Sequence, residues 1–417
     1  MSESRPDGKP FVISKRLVWE AWLKVKANKG AAGVDGQSIL EFESDLKGNL
    51  YKLWNRMSSG SYMPPPVRAV QIPKKGGHGV RVLGVPTVAD RVAQTVVHLV
   101  LEPGVEPLFH PDSYGYRPGR SALDAVGRCR ERCWRYDWVI DLDLRAFFDT
   151  LDHTLVLKAV AHHSDLRWVL LYVQRWLKAP LQLRDGSLRA RDRGSPQGSA
   201  ISPVLANIYL HYALDLWLGR EFPAVPFERY ADDAILHCNT QHQARVVLDA
   251  ITQRLAQVGL ELNLDKTRIV YCKDSNRRGS HEHERFTFLG YTFRPRRARN
   301  RSGRIFANFL PAVADDATKA IGHTIKRWRL HLWSGKTLTD LAHAVNPIVR
   351  GWISYYGRFY PTELTLLLKR INEYLARWAM RKYKRLRRRP DRAQELLRVV
   401  ARRQPGLFAH WPAGATP

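Results

Sequence analysis

Two adjacent aspartates interrupt an otherwise apolar segment, and this pair constrains the fold more than any other feature of the sequence. The segment FERYADDAILHC, residues 227–238, carries Asp232 and Asp233 between aromatic and aliphatic residues whose pattern predicts a β-hairpin. Neighbouring carboxylates repel each other, and partial burial increases the repulsion. The pair therefore predicts a site at which a cation compensates the acids.

A second acidic cluster lies upstream in WVIDLDLRAFFD, residues 138–149. In a strand, Asp141 and Asp143 point to the same face because side chains alternate. A single aspartate at a strand end is usually a turn or a cap, but two clusters in a basic chain favour a metal site. Carboxylates suit Mg²⁺, which completes its shell with water and phosphate oxygens. Two Mg²⁺ ions, or Mn²⁺ as a substitute, can activate a hydroxyl and stabilise a leaving pyrophosphate. This chemistry makes or breaks phosphodiester bonds.

The overall charge indicates a polyanionic partner. The chain has 417 residues, enough for two or three domains, and its 67 Lys and Arg against 39 Asp and Glu give a net charge of +28. Nucleic acid fits this excess better than an anionic membrane. The first residues lack the apolar region of a signal peptide, and Asp90 and Arg91 interrupt the most apolar long stretch, so we expect neither a signal peptide nor a membrane span. Four cysteines without a CxxC pair favour a reducing compartment, and we expect a bacterial cytoplasmic protein associated with the nucleoid.

Several blocks resemble, in order, those of group II intron-encoded reverse transcriptases. YADD within an apolar hairpin is the signature of reverse transcriptases, and the other blocks extend the resemblance over roughly residues 20–385. They are GAAGVDG (30–36), VQIPKKGGHGVRVLGVPTVADRVAQ (70–94), DSYGYRPGRSA (112–122), DLDLRAFFD (141–149), RGSPQGSAISPVLANIYLH (193–211), GLELNLDKTRIV (259–270), FTFLGYTF (286–293) and the maturase-like NPIVRGWISYYGRFY (346–360).

The resemblance implies an α+β fold of the right-hand polymerase type, with fingers, an antiparallel palm sheet and an all-helical thumb. On this basis we expect an N-terminal extension and fingers over residues 1–120 and a palm with some fingers elements over 121–295. A helical thumb or maturase domain would follow over 296–390, and a short basic C-terminal tail over 391–417.

The resemblance also assigns the metal ligands. The family's palm motif has an aspartate followed five positions later by an aromatic residue, which Asp143 and Phe148 satisfy, whereas Asp141 would place Ala146 there. We therefore expect Asp143, Asp232 and Asp233 to be the catalytic acids and metal ligands, joined by the backbone of Leu144. Phe148 would lie against the sugar and exclude a 2′-hydroxyl, while the adjacent Phe147 would belong to the core.

Three basic residues alternate with apolar ones in the fingers block: Arg68, Lys74 and Arg81. Arginine offers a fork of donors and lysine a compact charge, and both suit a triphosphate. A solvated basic strand is the alternative interpretation.

Four further residues carry roles from the resemblance. Gln197 would lie near the nucleotide and the template, and Gly198 would allow close approach of the backbone. Tyr230 would pack by the primer end, and Lys266 would contact the primer backbone.

Charged and aromatic residues alternate near the C-terminal end of the resemblance. Stacking combined with phosphate contacts is how proteins hold RNA single strands and junctions, although aromatic residues at helical spacing are often core. The candidate RNA-binding residues are Arg350, Tyr355 and Arg358, with Arg385 and Arg388 from the basic run RKYKRLRRRPDR (381–392).

These features together predict an RNA-directed DNA polymerase that binds its intron RNA and assists splicing and mobility through target-primed reverse transcription. Its expected partners are group II intron RNA, an RNA template with a DNA primer, dNTPs and target DNA, with no membrane; it would be a monomer or a homodimer. Two alternatives remain open. One is a splicing maturase that needs no polymerisation, and the other is a domesticated enzyme of phage defence, repair or CRISPR spacer acquisition.

The C-terminal sequence PGLFAHWPAGATP lacks the cysteine pairs of the HNH-like endonuclease that many group II intron proteins carry. We therefore expect no such nuclease in this sequence. A primer would then come from elsewhere, such as a nascent strand at a replication fork.

Overall fold

A computed structural model describes residues 8–73, 79–300 and 302–417. The chain divides into two compact units. Unit 1 comprises the described residues up to 121 together with 140–236 and 241–268, and unit 2 comprises 122–139, 237–240 and 269–417. Both units contain helices and strands, which confirms the mixed α+β class.

Unit 1 holds most of the regular elements of the first two thirds of the chain. Two of its strands, β3 and β7, extend by two residues beyond the boundary. The elements are α1 (Lys15–Ala27), α2 (Ile39–Ser44), α3 (Leu46–Ser58), β1 (Val67–Pro73), β2 (Val80–Val85), α4 (Val88–Val105), β3 (Trp138–Asp143), α6 (Phe147–Thr150), α7 (His153–His163), α8 (Arg167–Lys178), β4 (Leu181–Gln182), β5 (Leu188–Arg189), α9 (Ser202–Leu210), α10 (Leu216–Glu221), β6 (Phe227–Tyr230), β7 (Asp233–Cys238) and α11 (Gln241–Gln257).

The N-terminal helices pack because their apolar residues follow the helical period. Ser14 caps α1 by accepting a hydrogen bond from the amide of Leu17, and Val18 and Trp22 lie on the buried face. This face packs against α4, which is buried along most of its length. No helix among the described residues combines the length and the apolar character needed to cross a membrane.

The predicted fingers block forms an antiparallel hairpin. Strands β1 and β2 pair with Arg68 opposite Val85 and Ile72 opposite Arg81. The start of β1 also pairs in parallel with β4, which pairs with β5, so the sheet has the order β2–β1–β4–β5. The hairpin is thereby joined to a later segment of the chain.

The two acidic clusters lie on neighbouring strands. Strand β7 lies between β6 and β3. Strands β6 and β7 are antiparallel, and Tyr230 pairs with Asp233, so Ala231 and Asp232 form the turn of a two-residue hairpin. Residues Ile140 and Ile235 are fully buried, which anchors the acid-bearing ends of β3 and β7.

Unit 2 combines an antiparallel sheet with a group of helices. The sheet has the order β11–β10–β9, and β10 pairs with β11 along its whole length, from Tyr291 opposite Val313 to Arg299 opposite Ile305. The elements are α5 (Ala122–Cys133), β8 (Arg268–Tyr271), β9 (Phe286–Phe288), β10 (Tyr291–Arg299), β11 (Ile305–Val313), α12 (Asp315–Trp328), α13 (Leu338–Tyr356), α14 (Pro361–Lys382) and α15 (Pro390–Arg403).

The predicted apolar stripe of α14 forms the centre of the unit 2 core. Its residues recur at steps of three and four, so that they share one face of the helix. All five residues of the stripe are buried: Leu364, Leu368, Ile371, Leu375 and Trp378.

The segment from residue 391, for which we expected a short basic tail, is folded as part of unit 2. Helix α15 occupies most of its first half, and Phe408 and Trp411 are buried in the unit 2 core. Asn346 bonds the backbone of this segment on both sides, donating to the Leu407 carbonyl and accepting from the Ala409 amide. The region from 296 is also not all-helical, because β10 continues into it and β11 follows.

Replacing Trp411 by alanine should lower the free energy of unfolding by about 3–5 kcal/mol, the usual cost of removing a buried tryptophan. Trp411 is 2% exposed, and its indole donates to Asn372. Urea denaturation followed by circular dichroism measures the loss. Leu366→Ala, at a position 62% exposed in the same unit, is the control and should change stability by no more than about 0.5 kcal/mol. Equal, small effects of both changes would show that the C-terminal segment does not stabilise the unit.

Candidate active site

Unit 1 contains a cavity of about 1150 Å³ in which the segments that follow β3 meet the β6–β7 turn. Strand β2 and residues 189–199 complete its wall. This volume is slightly above the usual range for small-molecule sites, which bury most of a bound ligand. It is therefore large enough for a nucleotide together with a nucleic acid end.

Most of the residues predicted for the polymerase site line this cavity. They are Asp143, Leu144, Asp232, Arg81, Phe148, Gln197, Gly198 and Lys266. Asp233 is outside the lining but next to Asp232, and the ring of Tyr230 lies 6.4 Å from that of Tyr116, a lining residue. Arg68 does not line the cavity, and Lys74 lies outside the described residues.

The carboxylates of the β6–β7 turn are electrostatically coupled to Asp143. Burial and the negative charge of Asp143 raise the pKa of Asp232 above its usual value, although Arg81 and Lys266 oppose the rise. The side chain of Asp233 keeps contact with solvent, but loss of hydration and the charges of Asp232 and Asp143 raise its pKa to about 6. The three acids thus lie close enough for mutual repulsion.

Asp141 also belongs to this cluster. Burial, followed by repulsion from Asp233 and Asp143, raises the pKa of Asp141 to about 7. Near neutral pH this carboxyl is therefore partly protonated unless a cation approaches. The structure brings both aspartates of β3 near the turn, as their spacing of two predicts.

The end of β3 is held by the segment that contains Lys266. The Lys266 ammonium lies 3.3 Å from a carboxylate oxygen of Asp143, and the Asn263 amide donates to the Asp143 carbonyl at 2.9 Å. Leu144 forms a bridge with Leu262. The Lys266 side chain is 66% exposed, so its ion pair with Asp143 is a weak one.

The acid cluster fits a divalent metal ion by the chemistry of its donors. Three carboxylates and the Leu144 carbonyl are hard oxygen ligands, which Mg²⁺ and Mn²⁺ prefer. Burial first, and then the charges of neighbouring carboxylates, raise the pKa values of Asp232 and Asp233. A bound cation would offset the repulsion between these carboxylates.

Two non-glycine residues next to the acids have left-handed backbone conformations. Ala146 follows β3 with φ of 47°, and Ala231 begins the β6–β7 turn with φ of 57°. Such conformations are costly for residues with a Cβ atom, and they persist only where surrounding contacts impose them. The backbone is thus constrained at both acid-bearing ends.

The PQG segment is packed directly against β2. The Gly84 amide donates to the Gln197 carbonyl at 2.7 Å. Gly198 has φ of 107°, and a Cβ atom there would lie 2.9 Å from the Gly84 oxygen. Glycine is therefore required at position 198, because both its conformation and its surroundings exclude a side chain.

A buried hydrogen-bond network supports the residues that follow Gly198. The side-chain oxygen of Gln94 accepts from the Ser199 hydroxyl at 2.6 Å and from the Ala200 amide at 2.8 Å. The Gln94 amide nitrogen donates to Asp90, which also accepts from Tyr62 and Trp176 at the distances of good hydrogen bonds. Burial raises the pKa of Asp90 to about 6 despite these donors. Sequence reasoning noticed Asp90 only as an interruption of an apolar stretch.

Several further residues line the cavity although sequence reasoning did not assign them a role. The basic run RARDR at 189–193, directly before the PQG block, could have indicated some of these residues. Arg191 is bound within the protein, because its Nε donates to the Ala179 carbonyl at 2.8 Å, and burial lowers its pKa to about 10. The residues are Tyr116, Arg145, Arg189, Arg191, Arg193 and Asn263.

In unit 2, the predicted RNA-binding arginines are all exposed: Arg350, Arg358, Arg385 and Arg388. Tyr355 is half-buried, and its hydroxyl donates to the Leu289 carbonyl at 2.8 Å, so it has a structural role within the unit. The segment around Arg385 forms a concave surface whose other lining residues are Lys384, Leu386, Arg387, Arg389 and Arg392.

Comparisons with known protein families match two regions of the chain. Residues 72–293 match the family described as reverse transcriptase (RNA-dependent DNA polymerase), and residues 318–397 match the group II intron, maturase-specific domain. The first region includes the three acids and the whole cavity lining, and the second includes α13 and α14.

Curated relatives agree with these matches. Protein YkfC of Escherichia coli is 33% identical over 354 residues, which covers 75% of this chain and 88% of YkfC. The group II intron-encoded protein LtrA of Lactococcus lactis is 31% identical over 204 residues, 48% of this chain and 33% of LtrA. The putative COX1/OXI3 intron 2 protein of Saccharomyces cerevisiae is 24% identical over 66% of this chain and 37% of its own length. The match thus spans little more than a third of the two intron proteins. The chain belongs to the reverse transcriptase family and carries a group II intron maturase-specific domain.

Proposed function

We propose that Asp143, Asp232 and Asp233 form the catalytic centre at which this reverse transcriptase extends a DNA primer on an RNA template. The observation that carries the proposal is that Asp143 and Asp232 line one cavity with Arg81 and Gln197, and that Asp233 interacts with both of these acids. Acids that hold metal ions, together with a nearby arginine, suit a metal-bound triphosphate, whose negative charge both the ions and the guanidinium would balance.

The proposed cofactor is a pair of Mg²⁺ ions, which Mn²⁺ could replace. The three carboxylates and the carbonyl of Leu144 would hold the ions. When bound, the ions would polarise the reacting phosphate and neutralise the charge that develops on the leaving pyrophosphate.

The protein's own residues would bind and orient the reactants. Arg81 would pair with the triphosphate, and Lys266 would contact the primer backbone. In the reaction, the primer 3′-hydroxyl oxygen forms a bond to the α-phosphorus of the dNTP, pyrophosphate leaves with the bridging oxygen, and the hydroxyl proton passes to water. The main contribution of the site to this reaction would be to align the attacking oxygen with the leaving group.

The side chain of Phe148 would select the sugar. Phe147 is in the core with 1% exposure, whereas Phe148 is half-buried and lines the cavity. The Phe148 carbonyl accepts from the Ser195 amide at 2.7 Å, which ties this aromatic residue to the PQG segment. A ring held in this way would collide with a 2′-hydroxyl and so favour dNTPs.

The finer architecture is also proposed. In a right-hand arrangement, the segment around the β1–β2 hairpin would be the fingers, the acid-bearing sheet the palm, and the helices of unit 2 the thumb. Arg68 and Lys74 would then act on the nucleotide from the fingers, Gly198 near the template and Tyr230 near the primer.

Unit 2 would bind the group II intron RNA. This proposal is supported by four exposed arginines within the maturase-specific match: Arg350, Arg358, Arg385 and Arg388. Phosphate contacts of this kind position RNA without reading its sequence. The bound intron would be copied at its DNA target in the nucleoid, by target-primed reverse transcription.

Phe148→Val tests the proposed site through its selectivity. The smaller side chain should raise the incorporation of NTPs relative to dNTPs by about 10- to 200-fold, the range that small steric differences give in a pocket. Primer extension on an RNA template, with each substrate alone and in competition, measures the ratio of kcat/KM values.

The control for Phe148→Val is Phe222→Val, a half-buried phenylalanine of unit 1 that packs on Trp217. This variant should keep the selectivity of the unmodified protein. Unchanged selectivity in Phe148→Val, with dNTP extension intact, would contradict the placement of the sugar beside Phe148.

A further inference from the structure

Arg229, two residues before the Ala231–Asp232 turn, is a buried arginine that does not line the cavity. Arg229, on β6, is fully buried, and its guanidinium forms a two-bond ion pair with Asp215, which is also buried. The two donor–acceptor distances are 2.7 Å from Nε and 2.6 Å from Nη2. Paired arginine and carboxylate groups of this geometry are fixed in orientation.

The remaining donor of Arg229 reaches the turn itself. Nη1 donates to the carbonyl of Ala231 at 3.0 Å and contacts the side-chain oxygen of Asn207 at 3.2 Å. Ala231 is the non-glycine residue with φ of 57°, at a hairpin position that usually requires glycine. The bond from Arg229 therefore holds the backbone in a conformation that alanine disfavours.

A second set of contacts links Asn207 and the turn to Gly115. The Asn207 side chain donates to the Gly115 carbonyl at 2.8 Å. Gly115 packs so closely on the turn that a Cβ atom there would lie 2.3 Å from the Ala231 nitrogen. Ala231 is thus contacted at both of its peptide groups, at its nitrogen by the Gly115 backbone and at its carbonyl by the Arg229 guanidinium.

The partners of Arg229 come from a single long helical segment. Asn207 is on α9, and Asp215 ends a π-helical turn, His211–Asp215, that connects α9 with α10. Local π turns often occur at functional sites, where they re-aim a side chain. Here the segment presents Asn207 and Asp215 to the same guanidinium, eight residues apart.

We infer that Arg229, Asp215 and Asn207 form a latch that positions Asp232 and Asp233 by fixing the left-handed conformation of Ala231. Arg229 is a positioning residue, because it contacts the turn and not the reactants. The inference rests on the proposed catalytic role of the two aspartates. Its consequence is that turnover depends on a buried ion pair that never touches substrate.

The first test is Arg229→Lys, which keeps the charge but cannot make the three separate contacts. The variant should lower kcat for primer extension by about 10- to 100-fold, as loss of a residue that orients metal ligands does. The Mg²⁺ concentration for half-maximal activity should rise, while the KM for dNTP should stay unchanged. A second variant, Arg229→Met combined with Asp215→Leu, removes both charges together, a replacement that often leaves stability unaffected.

A rescue separates positioning from general stability. Glycine adopts positive φ without strain, so Ala231→Gly should restore a large part of the kcat lost in Arg229→Lys. The matched control is Arg277→Lys in unit 2, where Arg277 donates to the Cys133 carbonyl at 2.7 Å and pairs with Asp137 at 2.7 Å. This control should keep the kcat and the Mg²⁺ requirement of the unmodified protein.

The inference is overturned by folded Arg229 variants with unchanged kcat, or by a loss that Ala231→Gly does not rescue. It is equally overturned if neither Arg229 variant folds, since the pair is then a folding element. Asp232→Ala, measured in the same assay, separates this outcome from failure of the site assignment. Retained extension in Asp232→Ala removes the proposed catalytic role, whereas its loss beside fully active Arg229 variants removes only the latch.

Discussion

Replacing Asp232 by alanine is expected to reduce Mg²⁺-dependent primer extension on an RNA template by about 10³-fold or more, because several kcal/mol of transition-state stabilisation would be lost. The physical reason is the acid cluster itself. Asp232 lines the cavity and interacts with Asp143, and a metal ion held by both loses a ligand when one carboxylate is removed. Single-turnover extension with saturating dNTP isolates the chemical step.

The two aspartates of β3 provide a sharper comparison. Asp143→Asn should reduce extension as severely as Asp232→Ala, whereas Asp141→Asn should have a much smaller effect. Asp143 lines the cavity, but Asp141 does not, and its pKa of about 7 leaves it partly neutral near pH 7. Both changes are isosteric and lie two residues apart on one strand. The reverse order of effects would transfer the ligand role to Asp141.

Folding must be measured beside activity in these variants. Removing one member of a group of repelling carboxylates relieves repulsion, so Asp232→Ala and Asp141→Asn should not lower the melting temperature in the presence of a chelator. The variants should also bind the intron RNA as the unmodified protein does. A lower melting temperature would attribute lost activity to the fold.

The parts of the site that follow from local pattern could be predicted from the sequence. Once the family motif was known, its spacing of five positions selected Asp143 with Phe148 over Asp141 with Ala146. In the structure Phe147 is in the core and Phe148 lines the cavity. Local alternation and motif spacing are encoded within a few residues, so they need no knowledge of tertiary contacts.

Contacts between distant segments could not be predicted in the same way. Arg229 lies two residues before the turn, but the neighbouring sequence does not show that its side chain pairs with Asp215 rather than facing solvent. The link from Asp90 through Gln94 to Ser199 spans more than a hundred residues. Buried polar groups acquire their partners only when the chain folds. Composition does not distinguish a charged residue that will be buried from one that will be exposed.

The C-terminal segment illustrates the same limit. Its basic composition led us to expect a short basic tail; in the structure Phe408 and Trp411 are buried, and His410 bonds to Asn372. The aromatic residues were visible in the sequence, but the surface that they cover is built by α13 and α14. The basic composition of the segment therefore did not show that a few of its apolar residues join the core of unit 2.

Raising the salt concentration from about 50 mM to about 200 mM should weaken intron RNA binding by about 10³- to 10⁵-fold if six to ten phosphates are contacted. The excess of 67 Lys and Arg over 39 Asp and Glu makes contacts of this number reasonable. Each contact releases counterions from the RNA, so a plot of log Kd against log salt should be linear and steep. Filter binding or fluorescence anisotropy over this range measures the slope.

The slope can be assigned to unit 2 by replacing its exposed arginines. Arg385→Ala with Arg388→Ala should reduce the magnitude of the slope by about 2, one for each lost phosphate contact. The control is Arg398→Ala on α15, an exposed arginine whose guanidinium lies 3.0 Å from Glu395 and is therefore already paired. The control should keep the full slope.

A shallow salt dependence in the unmodified protein would refute the electrostatic account, and an unchanged slope in the double variant would place the RNA-binding surface elsewhere. Because Asp232→Ala leaves these arginines intact, its RNA affinity should follow the same salt dependence even though its polymerase activity is lost.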